Sequence, residues 1–520
     1  MIYYSCSKTL TTKLKEWLTL KKFLSLILSI LLIFTLTVPA FASGTVKQTC
    51  PTIYVHGFAG SKICADKNDP STMFTLPSSD ELLESVKKDL LPALLTYVAT
   101  ENGDPFAYEL CEIVNSVFAG YFNNPDGTAK DNSGAYMAYP SSVSKNSNLI
   151  FSYDWRCDPF VAAEELNKFI DYVISKSGSD KVALRCHSLG SVIGTTYLST
   201  YGNEKIMGIV FDSPALFGIT YIGELLCGNP EIAGDALLHG LKDLLGENEY
   251  NQLISSTLDI LALAGIVDDL GGFLNTLIKK TAPILYKETL VPLFGYWPAT
   301  WAMSPDKYID EAMEHVFTNY CAGEEYDALK AKIVKYNTDV RPYKKDTLLN
   351  FDVNGKLAVI SRYGYGALPV SPSWDVLTDT VVDTHSTSLG ATTAPVDTAF
   401  SDRYLENKDM SLISPDRTVD ASTCLFPEKT WFIKNLTHDK TGDTKPLHFE
   451  LLFGEEEATV ENFRLPRFLI YDAETDSIIE DTTVFEEPYR ESFVESAFRK
   501  VINFFTALLN FLTDLFKNKK

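Results

Sequence analysis

Between residues 50 and 211 the chain alternates short apolar runs with polar, glycine-bearing turns. Ile53–Val55, Leu149–Tyr153, Lys181–Arg185 and Ile206–Phe211 are short segments centred on apolar residues, the pattern of strands buried on both faces. Ala163, Leu166, Phe169, Ile170 and Val173 fall at helical spacing and predict a helix over 162–175, and Val192–Tyr201 predicts a second. Two later strands are predicted at Lys356–Tyr363 and Thr430–Asn435. Strands alternating with helices predict a mostly parallel central sheet with crossover helices. Residues 61–147 read as a long mixed insertion. From Gly218 to about Lys345 the pattern changes to long apolar helices, such as Leu237–Leu245 and Ile254–Ile266. This block lies between two core strands, so it predicts a helical cap inserted at about 218–345. Residues 441–490 read as a β-rich, acidic peripheral extension, with Leu447–Leu452 as a strand.

The two ends follow other rules. Lys8, Lys13, Lys15, Lys21 and Lys22 precede an apolar run from Phe23 to Val38, and Ala40-Phe41-Ala42 supplies a small-x-small site. Residues 1–42 therefore predict a secretory signal peptide cleaved after Ala42, and a secreted or cell-surface product. The apolar run is short for a membrane span. At the other end, Ser492, Ser496, Arg499, Asn503, Thr506, Asn510, Thr513 and Lys517 line one helical face, opposite Val494, Phe498, Val501, Phe505, Leu508, Leu512 and Leu515. Residues 491–520 thus predict an amphipathic helix, docked on the domain or lying at a lipid interface.

Composition narrows the class. The 520 residues are 45% apolar and 22% charged, which builds a sizeable core and excludes a disordered or fibrous chain. The net charge is −22. Nucleic acid is excluded as the main partner, because phosphate binding needs a basic surface. Eight of the nine cysteines lie beyond the leader, at 50, 64, 111, 157, 186, 227, 321 and 424. An even count in an exported chain permits disulfides, with Cys50 and Cys64 close enough to staple the first loop. No CxxC pair or Cys/His set marks a metal site, and no cofactor motif is present.

The chemistry gathers at strand ends. Cys186-His187-Ser188-Leu189-Gly190 sits between a predicted strand and a predicted helix. A nucleophile elbow belongs there: a sharp turn lifts the serine Oγ above the sheet beside a helix N-terminus, with small residues two positions either side. His56-Gly57-Phe58-Ala59-Gly60 follows the first strand. Its tight turn, through the Phe58 N–H, and the Leu189 N–H after the serine are the expected oxyanion pair. A serine nucleophile needs a base and an orienting acid, in the order Ser, Asp or Glu, His. Of seven histidines, His56 and His187 belong to these motifs, and His239 and His315 lie in the cap. His438, in the loop after Thr430–Asn435, fits the base better than His385 or His448. Asp379, Asp383 and Asp416 all lie between Lys356–Tyr363 and His438. Asp379 follows the strand through a loop, whereas Asp416 leaves little room for a helix and strand before His438.

Ile53–Ile63 (IYVHGFAGSKI), Tyr153-Asp154-Trp155-Arg156 and the serine elbow together resemble the lecithin:cholesterol acyltransferase-like branch of the α/β-hydrolases, which includes lysosomal phospholipases and bacterial lipases. Asp379–Ser386 (DTVVDTHS) resembles its acid-bearing loop, and Tyr296–Pro305 (YWPATWAMSP) its cap segment. The likeness runs in order over roughly 50–440. It departs at Cys186, where Gly is usual, and at Thr380, where Gly or Asp is more usual. It implies an α/β-hydrolase fold over 43–440 with a large helical cap, and a catalytic triad of Ser188, Asp379 and His438, Asp416 being the alternative acid. It also implies an oxyanion hole at Phe58 and Leu189, and substrate contacts from Gly57, Trp155, Trp297 and Trp301. The implied activity is hydrolysis of lipid esters through an acyl-enzyme, with acyl transfer to an alcohol as its nearest variant. The alternative is a non-catalytic binding or surface protein on the same scaffold.

Overall fold

A computed structural model describes residues 47–75, 85–232, 266–440 and 444–485, with single positions at 236, 259, 262 and 500. The predicted leader lies outside the described residues, as do nearly all of the C-terminal helix and of the predicted helices at 237–245 and 254–266.

Eight strands make one sheet. They are β1 (Thr52–Val55), β2 (Asn148–Phe151), β3 (Val182–His187), β4 (Ile206–Asp212), β5 (Lys356–Tyr363), β6 (Thr430–Lys434), β7 (Phe468–Asp472) and β8 (Ser477–Glu480). Across the sheet they run β8-β7-β6-β5-β4-β3-β1-β2. Every pairing is parallel except β7 with β8. The interior strands β3, β4 and β5 are buried along almost their whole length, which is why their sequences read as apolar runs without alternation.

Helix α1 (Pro159–Ser177) starts where the Asp158 carboxylate accepts the Phe160 N–H and Pro159 takes the first turn; it stops at Gly178, φ +66°. It buries Ala162, Ala163, Leu166, Phe169, Ile170 and Val173, the stripe its spacing predicts. Helix α2 (Leu189–Tyr201) leaves β3 with only Ser188 between them, so the serine stands at the carboxyl edge of the sheet.

Residues 266–354 are mainly helical, including Ile266–Leu285, Ile309–Asn319 and Asp327–Asp339. The insertion has its own apolar cluster, containing Tyr286, Val291, Trp301, Val316, Leu329 and Ile333. Helices from the other insertion, Leu91–Thr100 and Asp104–Val117, join it through Leu94, Tyr97, Phe106 and Leu277. Among the described residues no helix is long and apolar enough to cross a membrane.

Three readings of the sequence differ from the structure. Leu447–Leu452 lies in helix α3 (Lys445–Phe453), not in a strand. Leu447, His448, Phe449, Leu451 and Leu452 are all buried, so the segment shows no helical stripe, and a short apolar run does not separate strand from helix. Pro446 in its first turn was the available helix signal. The stretch beyond it is not peripheral: β7 pairs in parallel with β6 and carries the central sheet one strand further before β8 turns back. The Cys50–Cys64 staple is not formed, and all eight described cysteines are free thiols.

Candidate active site

Ser188 is the single residue between β3 and α2, with φ +54° and ψ −125°. A non-glycine residue there is strained, and strain of this kind persists where surrounding contacts over-determine the turn. Its N–H donates to the Asp212 carbonyl (3.3 Å), and its carbonyl accepts from Ser191 N–H (2.9 Å) and Ala215 N–H (3.2 Å). The turn brings α2 hard against β1: a Cβ on Gly190 would fall 2.0 Å from the Val55 carbonyl oxygen. Cys186, two residues before the serine, is accommodated on the other side. Its Sγ would lie 2.7 Å from a Cβ on Gly194, so the space that a glycine usually leaves at the elbow is provided here one turn along the helix.

The loop after β1 is fixed by a chain of hydrogen bonds. His56 Nδ1 lies 2.7 Å from the Gly57 carbonyl and Nε2 2.5 Å from Ser61 Oγ. A carbonyl only accepts, so Nδ1 carries the proton and the Ser61 hydroxyl donates to Nε2. Burial holds the His56 imidazole neutral, its pKa lowered to about 4 against the opposing pull of the Gly57 carbonyl. Ser61 Oγ also accepts the Tyr153 N–H (3.2 Å), and its carbonyl accepts the Trp155 indole N–H (2.8 Å). The Gly57 carbonyl additionally takes the Gly60 N–H at 3.2 Å. Because the peptide is planar and trans, anchoring that carbonyl turns the Phe58 N–H the opposite way. Leu189 is the first residue of α2, so its N–H has no partner within the helix. A Cβ on Gly57 would stand 2.6 Å from Ser188 Cβ and 3.1 Å from its Oγ. Loop and nucleophile are thus in van der Waals contact.

The loops after β5 and β6 bring Asp379 and His438 together. Nδ1–H of His438 donates to Asp379 Oδ2 at 2.6 Å, and the His438 main-chain N–H donates to the Asp379 carbonyl at 2.8 Å. The other oxygen, Oδ1, accepts the Val381 and Val382 N–H groups at 3.1 and 2.7 Å. The carboxylate is fully buried, and its partners leave Nε2 as the basic nitrogen of His438. Thr380 has φ +88°, a conformation that favours glycine, held by its N–H to Thr378 Oγ1 (3.0 Å). The His438 ring packs on that of His187, 4.6 Å between centroids, and His187 adjoins Ser188 in sequence.

The other two acids face elsewhere. Asp383 accepts from Thr220 N–H (3.0 Å) and Thr220 Oγ1 (2.5 Å), tying the start of the cap to the acid loop; burial pushes its pKa up to about 6. Asp416 is closed in a turn by Ser414 and Thr418 and paired with Lys434 at 2.8 Å. His385 is exposed and turned to the Ala391 carbonyl.

The four expected substrate contacts separate. Gly57 lies against the nucleophile. Trp155 and Trp297 are buried and pack around Phe58, with ring centroids 4.3 and 5.7 Å from it. Their indole N–H groups are taken by Ser61 O and Tyr121 O; Trp155 is thus tied to the loop after β1, and Trp297 reaches that loop through Phe58. Trp301 is buried in the cap cluster against Phe317, its indole N–H bonded to Gly295 O.

Sequence reasoning missed a buried polar group beneath this site, formed by Arg185, Asp212, Arg362, Thr444 and His448. Burial alone would raise the Asp212 pKa, but Arg362, His448 and His187 hold it well below the usual carboxylate range. A charged residue towards the carboxyl end of each of three adjacent core strands was the available signal, since such residues are almost never fully buried unless paired.

A mostly parallel sheet with the serine on the elbow after β3, an acid after β5 and a histidine after β6 defines the α/β-hydrolase fold. No protein-family model matches the chain, and no curated protein matches it in sequence. Solved structures with some likeness include the Tle4–Tli4 complex, at 11% identity and TM-score 0.31, covering 78% of this chain and 97% of that one. Another is a bromoperoxidase from Bacillus anthracis, at 13% identity and TM-score 0.22, covering 79% of this chain and 92% of that one. A hydrolase from Oleispira antarctica covers 38% of this chain and 93% of its own at 11% identity and TM-score 0.12.

Proposed function

We propose that this chain is an exported serine ester hydrolase of the lecithin:cholesterol acyltransferase-like branch, acting on lipid esters through an acyl-enzyme. The observation that carries the reading is the 2.6 Å Asp379–His438 bond, whose imidazole packs on that of His187, the neighbour in sequence of a serine in the strained conformation of a nucleophile elbow. Ser188 Oγ attacks the ester carbonyl while His438 Nε2 takes its proton. Asp379 fixes the tautomer that leaves Nε2 free to accept, and stabilises the imidazolium. The Leu189 and Phe58 N–H groups receive the developing oxyanion. The imidazolium then protonates the departing alcohol, and water or a second alcohol releases the acyl group. A lipid ester as substrate is what the family resemblance implies, and export follows from the leader pattern of residues 1–42.

A fluorophosphonate probe should label Ser188, and Ser188→Ala should lower ester hydrolysis by on the order of 10⁴–10⁶ with the fold intact. A panel of p-nitrophenyl esters and phospholipids then reads the substrate class. An unlabelled, folded protein would instead identify a binding protein on a hydrolase scaffold. N-terminal sequencing of secreted material should begin at Ser43, and recovery of intact chain only in membranes refutes export.

A further inference from the structure

Asp212 and Arg362 form an ion pair that performs none of the proton transfers described above, yet between them the two residues contact the backbone of both Ser188 and His438. Asp212 ends β4 and Arg362 lies near the end of β5. Their side chains are 2% and 0% exposed. Arg362 Nε and Nη2 grip the two carboxylate oxygens at 2.9 and 2.7 Å. Its third nitrogen, Nη1, points away from the carboxylate and donates to the main-chain carbonyls of Thr437 (2.8 Å) and of His438 itself (3.2 Å). The Asp212 main-chain carbonyl receives the Nδ1–H of His187, whose ring packs on His438, and the N–H of Ser188. The carboxylate is held from below by Thr444 Oγ1 (2.7 Å) and His448 Nε2 (2.9 Å). Since Arg185 Nε–H donates to His448 Nδ1 (2.9 Å), His448 is neutral, with its single proton directed at Asp212.

We propose that Asp212 and Arg362 are the positioning pair of this site: one rigid fork that fixes the loop of the base and the turn of the nucleophile in a common frame. The proposal rests on the serine-hydrolase reading of Ser188 and His438. A buried ion pair is poor value as a stabiliser, because apolar residues of similar volume often serve as well or better. What apolar residues cannot supply is direction. A guanidinium presents donors in fixed planar geometry, two to a carboxylate and one to a neighbouring carbonyl, whereas a lysine offers one flexible point charge. Moving the His438 loop by about 1 Å costs on the order of 10²-fold in rate. The pair therefore acts on kcat through the geometry of the base and leaves substrate binding by the cap alone.

The test uses the full chain and p-nitrophenyl ester turnover. The double variant Asp212→Leu with Arg362→Met removes both charges together, so that neither is left buried alone. Arg362→Lys keeps the charge and most of the stem, and covers the case in which the double variant does not fold. For whichever variants melt near the parent, kcat should fall on the order of 10²-fold with KM nearly unchanged. Lysine at 362 should fail to rescue it. Folded variants with kcat within about threefold of the parent, too little to reflect a displaced base, overturn the proposal. So does a loss confined to KM. Should Ser188→Ala itself leave turnover intact, the hydrolase reading falls and takes the pair's role with it. Should Ser188→Ala abolish turnover while the folded double variant remains active, only the pair's role falls.

Discussion

Replacing Asp379 with asparagine tests the site at its most constrained point. The carboxylate accepts three hydrogen bonds, two from Val381 and Val382 N–H on Oδ1 and one from His438 Nδ1–H on Oδ2. Asparagine has the same shape but only one acceptor oxygen. If that oxygen stays with the two main-chain donors, the amide NH₂ faces His438 Nδ1. The imidazole must then move its proton to Nε2, where it can no longer accept the proton of Ser188. If the amide turns over instead, two buried N–H groups lose their acceptor, and that costs about 1–3 kcal/mol each. The first arrangement is the cheaper one, so the Asp379→Asn protein should fold and be inactive. The same exchange in another serine hydrolase's triad costs ~10⁴ in kcat, or about 5.5 kcal/mol of barrier. Ester hydrolysis and the rate of fluorophosphonate labelling should both fall by that order, with the melting temperature lowered only modestly. Asp383→Asn and Asp416→Asn, assayed alongside, should stay within about tenfold of the parent, since neither carboxylate bonds the base. An inactive Asp416→Asn beside a near-parental Asp379→Asn would refute the reasoning.

Three further outcomes follow from particular contacts. In Gly57→Ala the new methyl would start 2.6 Å from Ser188 Cβ, against about 3.5 Å for an ordinary carbon contact. A shift of about 1 Å at the nucleophile should lower kcat on the order of 10²-fold, and unchanged kinetics would show that the loop gives way freely. Gly194→Ala should destabilise by about 1–3 kcal/mol through overpacking on Cys186 Sγ; adding Cys186→Gly should recover most of it, and purely additive effects in urea melts would refute the contact. Folding stability should fall between pH 6.5 and about 4. His56 and His448 are held neutral with pKa values lowered to about 4, and burial holds His187 well below its usual value. The unfolded chain binds these protons first, so stability rises with pH through that window. Asp383, raised to about 6, and Asp158 and Glu165, which burial also raises, pull the other way, but burial lowers His315 and His385 as well, so three carboxyls stand against five imidazoles. A urea midpoint that is flat or higher at pH 5 than at pH 7 would contradict this.

The core strands β3, β4 and β5 were legible because burial on both faces writes them as mainly apolar runs, and β4 and β5 sit within a residue of the expected segments. The helix α1 stripe was legible for the converse reason: one face is polar, and the period shows. Helix α3 was not, since it is buried all round and its nine residues give no contrast between faces. Among site residues, Ser188 and His438 carry a local signature, a motif or a place after a strand. Arg362 and Asp212 carry only a charge inside a buried strand, which calls for a partner without naming it. Their meaning lies in a pairing across 150 residues of sequence, which no spacing rule reaches. Trp155 and Trp297 sit in recognisable motifs, yet the packing of Trp297 on Phe58 depends on the cap folding back over the first strand, a tertiary fact.

Because β7 continues the sheet, β6 is an interior strand. It pairs with β5 from Thr430 to Lys434 on one side and with β7 from Phe432 to Lys434 on the other. The histidine loop therefore springs from backbone whose amides are shielded on both flanks, among the last that would exchange with solvent deuterium. Heating cannot release that loop by fraying an edge. Loss of turnover and loss of the cooperative fold should accordingly share one transition, so that inactivation reports on global unfolding and not on a local opening that precedes it.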